Sequence, residues 1–144
     1  MNTSMHRVAE ETARITATQV PAHQRLRFLP RHFGRYLMTV EGRIYDQMGE
    51  LAAGYTGGYW EMMELSNGGG YLFPTGEPLL IEQPSNDFRG TVSADAAGII
   101  VTLYVLSAMS FQYAEVPLFA DHFHWLRAFA IEHAEAAQIL AAID

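Results

Sequence analysis

Gly57-Gly58-Tyr59-Trp60-Glu61-Met62-Met63-Glu64-Leu65-Ser66-Asn67-Gly68-Gly69-Gly70-Tyr71-Leu72-Phe73-Pro74 reads as a β-hairpin. Tyr59 to Leu65 is aromatic and apolar, and a second short aromatic run follows the Ser-Asn-Gly-Gly-Gly turn. Asn and Gly accept the positive φ that tight hairpin turns demand. Pro74 cannot donate to a ladder, which assigns it to a strand end or sheet edge. Downstream, Thr75-Gly76-Glu77-Pro78 and Pro84-Ser85-Asn86-Asp87 are turns that bracket strands at Leu79–Gln83 and Phe88–Val92. Connections this short predict an antiparallel meander of about four strands.

Helical patterns flank this sheet. Phe33, Leu37, Val40, Ile44, Met48 and Leu51 recur every three or four residues, predicting one helix over Arg25–Ala53. Pro30 suits its first turn and Gly54 its C-terminal cap. Gly34, Gly42 and Gly49 fall within a quarter-turn arc at about 100° per residue, which predicts a flank that a neighbour approaches closely. Ser93 is an N-cap for the next helix, and Asp95 complements its dipole. Ala96 to Ala114 carries no charge. About 20 apolar residues suffice to cross a membrane. The polar residues in the run and the lack of a flanking basic cluster favour a buried core helix instead. Pro117 restarts helix, with Phe119, His122, Phe123, Leu126, Phe129 and Ala130 as its apolar stripe. A kink near His133 leads to a last helix over Ala134–Ile143. The expectation is an α+β fold: one compact domain over 23–144, a small antiparallel meander packed with several helices, and an N-terminal arm over 1–22.

The chain has 144 residues, 49% of them hydrophobic, which suffices for a real core. No cysteine is present, which removes disulfides, thiol catalysis and thiolate metal sites and fits a cytoplasmic location. The opening has no basic-then-apolar leader, so a secretory signal is not expected. Lysine is absent too, which excludes Schiff-base and P-loop lysines. Charge is asymmetric: residues 1–35 balance to +4 and residues 36–144 to −11, giving the net −7. An acidic body opposes stable DNA binding.

Catalytic patterns fail one by one. Glu61 and Glu64 are three apart and point to opposite faces of a strand, although Glu82 on a nearby strand could approach either. His122 and His124 are two apart on a helix and cannot share an ion. Ser66 lacks the nucleophile elbow. The Gly68–Gly70 run sits between strands, whereas a phosphate loop needs a helix after it. Tyr55, Tyr59, Trp60, Tyr71 and Phe73 could stack on single-stranded nucleic acid, but residues 44–88 contain no Arg or Lys. No enzyme activity, cofactor or metal is expected, and an interaction protein is favoured.

Four motifs in order carry a likeness: Phe28-Leu29-Pro30-Arg31-His32-Phe33-Gly34-Arg35, Gly57-Gly58-Tyr59-Trp60, Leu65-Ser66-Asn67-Gly68-Gly69 and Ser93-Ala94-Asp95-Ala96-Ala97-Gly98-Ile99. Together they resemble the ArdB/KlcA antirestriction family, from about Arg25 to Asp144. The resemblance implies a protein of plasmids and other mobile elements that protects incoming DNA from type I restriction-modification systems. It supplies no catalytic residue. With charged residues at only 17%, the chain lacks the dense acid array of a DNA mimic, so action through protein contact, direct or indirect, is expected. Three places are candidate interfaces: Arg31, His32 and Arg35 on the first helix; Ser66 and Asn67 at the hairpin tip with Tyr59 and Trp60 behind them; and the terminal Asp144. The alternative is a small nucleic-acid-binding module using the basic N-terminal part and exposed aromatics.

Overall fold

The computed structural model describes residues 14–144. Residues 1–13 of the expected arm lie outside the described residues. In chain order the elements are β1 (Ala17–Gln19), α1 (Arg25–Phe33), α2 (Leu37–Leu51), β2 (Trp60–Leu65), β3 (Gly70–Pro74), β4 (Leu79–Gln83), β5 (Phe88–Val92), α3 (Ala94–Gln112), α4 (Pro117–Ile131) and α5 (Ala136–Ile143).

The α+β class stands, and all four expected strands form. They do not make one meander. β2 and β3 pair antiparallel from Trp60↔Pro74 to Glu64↔Gly70, while β4 and β5 form a separate hairpin from Leu79↔Val92 to Gln83↔Phe88. The place beside β2 is taken by β1, with Ala17 opposite Leu65 and Gln19 opposite Met63. Three residues of the expected arm are therefore sheet. Short connections favour neighbours, but β3 and β4 are split by the turn at Thr75–Pro78, whose proline and glycine interrupt the ladder.

The hairpin turn is built as its residues suggest. Gly68 adopts φ +105° and Asn67 Oδ1 accepts the Gly69 amide at 3.1 Å. Pro74 closes β3 at its last position.

The long first helix is broken. Gly34 takes φ 52° and ψ −131°, a conformation that belongs to glycine, and its N–H caps the Pro30 carbonyl. The chain then turns once through Gly34–Tyr36 and restarts as α2. Pro30 lies inside α1, not in its first turn. α2 ends at Leu51 with Ala52 as its cap, so Gly54 does not close it. The expected close approach also fails: a Cβ on Gly34, Gly42 or Gly49 would meet nothing within 4 Å. These glycines face open space.

α3 is the axis of the core. Ile99, Ile100, Leu103 and Leu106 are each 0% exposed, and α2, α4, α5 and β3 all pack on it. It is long and apolar enough by composition to cross a membrane, yet 67% of its apolar window is buried inside the domain. Gly98 sets the distance to the sheet: a Cβ there would collide with the Leu72 carbonyl and Phe73. Burying four such aliphatic side chains contributes on the order of 8 kcal/mol before entropy is counted.

Candidate protein-contact surfaces

The N-terminus of α3 is held by a polar network. The Ser93 hydroxyl accepts the Ala96 amide at 3.1 Å and itself donates to Glu135, which also accepts the Ser93 N–H at 2.9 Å. Burial pushes the Glu135 carboxyl up, but these two Ser93 hydrogen bonds outweigh it and hold it below the usual range. Asp95 accepts the Tyr71 hydroxyl at 2.6 Å and pairs with His133 Nε2 at 2.8 Å. His133 Nδ1 accepts the Glu135 amide, so its proton sits on Nε2, toward Asp95. The network ties β3 and the α4–α5 corner to one helix end. All its polar atoms are engaged with one another, which is a structural arrangement.

A second polar cluster joins α1, β2 and α4. Glu64 on β2 accepts from Arg31 at 2.7 Å and from His32 Nε2 at 3.0 Å. The His32 ring meets the His122 ring edge-on at 5.3 Å, and His122 also packs on Phe33 and Trp125. His122 is 2% exposed and its Nδ1 has no partner among the described residues. Burial first, and then the neighbouring His32, lower its pKa to about 4, so it is neutral. Burial also lowers His32, against the pull of Glu64. No group of three or more His, Cys, Asp or Glu is placed to hold a metal among the described residues.

Glu61 and Glu64 make no pair, as expected of opposite strand faces, and Glu82 pairs with neither. Glu61 accepts from Arg25 Nη1 at 2.9 Å and from Gln19, Glu64 serves the cluster above, and Glu82 pairs with Arg89 at 3.3 Å in the other sheet. Of the three candidate interfaces, the first divides at the helix break. Arg31 and His32 share Glu64, whereas Arg35 lies beyond Gly34 and donates to the Tyr36 hydroxyl at 2.9 Å. The hairpin tip is tied inward. Ser66 Oγ accepts the Thr16 amide, and Asn67 Nδ2 donates to the Trp125 carbonyl, both at 2.9 Å. Behind the tip, Trp60 is 4% exposed and donates to the Tyr55 hydroxyl at 2.7 Å, while Tyr59 is 56% exposed. Asp144 is exposed at the end of the chain.

One surface escaped the sequence. Arg25, Leu26, Leu29, Pro30, Leu37 and Met62 line a groove of about 320 Å³ between α1 and α2. It adjoins an aromatic pocket of about 390 Å³ bounded by Tyr45, Tyr55, Tyr59 and Trp60, with Arg25 on the shared wall. No sequence signal marked it: Leu26 stands seven residues before Phe33, in phase with the apolar stripe, yet the structure leaves it 93% exposed.

This architecture has known counterparts. KlcA of Escherichia coli, an antirestriction protein, is 44% identical over 137 residues, covering 90% of this chain and 94% of its own length. A family model for antirestriction proteins matches residues 53–144. The chain belongs to the antirestriction protein family. A solved structure from work on KlcA and ArdB superposes with a TM-score of 0.84 at 44% identity, covering 90% of this chain and 95% of that one. Those antirestriction proteins show a novel fold and activity against type I DNA restriction systems in vivo but not in vitro. The chain is also 35% identical over 135 residues to YfjX, an uncharacterized protein of Escherichia coli K12, covering 90% of this chain and 88% of that one. As an antirestriction protein, the chain combines the family's helix-and-sheet body with the α1–α2 groove described above.

Proposed function

We propose that this antirestriction protein relieves type I restriction of DNA carried in by a mobile element, acting in the cytoplasm by protein contact, direct or through a host component, without catalysis and without imitating DNA. The observation that carries this reading is where the acids go. A DNA mimic presents carboxylates as a free, phosphate-like array. In this protein Glu61, Glu64, Glu82, Asp95 and Glu135 are each spent on an internal ion pair or hydrogen bond. The in vivo but not in vitro activity of the KlcA and ArdB proteins fits an action that needs something supplied by the cell. A nucleic-acid module finds little support, because Trp60 and Tyr71 are 4% and 1% exposed and cannot stack on bases.

The test is plating of unmodified phage on cells with an active type I system, with and without the protein. Plating restored at least tenfold, with no DNA-competed binding to the purified restriction enzyme, supports the reading. Full restriction despite soluble protein overturns it. Stoichiometric inhibition that duplex DNA competes away restores the mimic.

A further inference from the structure

The groove between α1 and α2 is bounded by two helix ridges. Leu26 and Pro30 are one turn apart on α1, and Leu37, Glu41 and Tyr45 follow at four-residue steps on α2. Leu29 and Met62 are on its floor, each 6% exposed. Leu26 stands on the rim 93% exposed, and Met38, next in sequence to Leu37, is 77% exposed. A leucine this exposed at the mouth of an apolar groove marks a contact surface more than a lone surface apolar residue does.

The polar groups in the groove are unevenly matched. The Arg25 guanidinium is engaged: it donates to Glu61 and to the Trp60 carbonyl at 2.7 Å and lies 4.5 Å over the Tyr59 ring. Glu41 accepts the Tyr45 hydroxyl through Oε2 alone, at 2.9 Å. Pro30 has no N–H, so the Leu26 carbonyl lacks its helical donor. Arg27 and Arg31 are on the next ridge of α1 and do not line the groove. The lining therefore offers acceptors and aromatic faces, and its one cation is already engaged. Such a surface complements a donor-rich cation and repels phosphate.

We propose that this groove, closed at one end by Tyr45, Tyr55, Tyr59 and Trp60, is the docking site for a segment of a partner protein that inserts apolar side chains beside Leu26 and sets an arginine or lysine against Glu41. The proposal deepens the protein-contact reading by naming the surface and the chemistry of its partner. Volumes of about 320 and 390 Å³ hold a few large side chains. The binding mode is an amphipathic segment laid between two helices.

Three full-length variants test it in restricting cells: Leu26→Asp, Glu41→Gln and, on the far end of α3, Phe111→Asp, where Phe111 is 81% exposed. Glu41→Gln keeps the shape and an acceptor for Tyr45 while removing the charge, so a purely structural role would not register it. Protection should fall at least tenfold for Leu26→Asp and about fivefold for Glu41→Gln, with Phe111→Asp at the wild-type level and all melting curves superimposable. Protection within twofold of wild type for both groove variants overturns the proposal.

A peptide arm stands apart from antirestriction itself. Isotope-labelled full-length protein is titrated with a helical Leu/Arg peptide, the same peptide with Glu for Arg, and an oligothymidylate. Shifts at residues 26–45 with the Leu/Arg peptide, weaker with the Glu version, support the groove even if wild-type protein fails to protect phage. No shift at millimolar Leu/Arg peptide, equal shifts with the Glu version, or shifts with the oligonucleotide alone sink it.

Discussion

The contact of α3 with β3 and the groove between α1 and α2 use similar residues to opposite ends. In the first, Gly98 lets the helix backbone come down on Leu72 and Phe73, and Ile99, Leu103 and Leu72 are each 0% exposed around it. On α2, which forms one wall of the second, Gly42 and Gly49 have nothing within 4 Å of where a Cβ would be, and Leu26 on the other wall is 93% exposed. A helical glycine thus marks a close approach only where another backbone is present to make it. The contrast separates a region that holds the fold from one that it leaves available.

The largest expected effect strikes the closed side. Gly98→Ala puts a methyl group onto the Leu72 carbonyl and Phe73, with backbone on both sides and no rotamer to escape through. It should cost about 3 kcal/mol or more and lower the melting temperature by on the order of 10 °C. A melting point within about 2 °C of wild type would mean that α3 is not pressed against the sheet as described.

Next comes acid. His122 is buried with a pKa lowered from 6.5 to about 4. Between these values the unfolded chain binds a proton that the folded chain does not, so stability falls as pH drops through this window and is full above about 6.5. The loss should be on the order of 2 to 3 kcal/mol, with His32, also lowered, adding in the same sense. Urea denaturation at neutral pH and near the lower limit measures it, and His122→Leu should flatten the slope. A wild-type profile that is level over the window refutes the assignment.

Ser93→Ala should cost about 1 kcal/mol, because the cap is lost and Glu135 loses a donor. Chemical denaturation of the variant checks this, and an unchanged midpoint would show that Glu135 alone holds the helix end. The smallest effect has the opposite sign. Gly42→Ala, in an exposed helical position with room for a methyl, should stabilise by about 0.5 to 1 kcal/mol. Destabilisation there would show that α2 is approached on this flank after all.

Much of the architecture was legible because local chemistry enforces it. The Asn67–Gly70 turn, the Ser93 cap and the apolar phases of α2 and α4 depend on residues close in sequence. The break at Gly34 was harder to see, since the apolar phase continues through Phe33 and Leu37 as if one helix ran on. Of the expected contact residues, Arg31 and His32 do meet, but around Glu64, a partner 32 residues from His32. Trp60, expected behind a contact surface at the hairpin tip, is 4% exposed because Tyr45 and Tyr55 close over it.

The sequence by itself determined the α+β class, four of the five strands, the helices after Ser93 and the four ordered motifs of the family. Only the tertiary structure decided which strands pair, which glycines are pressed and which acids are neutralised. It alone showed that α1 and α2 enclose a groove with an exposed leucine on its rim. The physical reason is range. Caps, turns and periodicity act over four residues or so, and the chain carries their record in order. Pairing, burial and charge compensation join residues tens of positions apart, and their outcome is set by which surfaces meet.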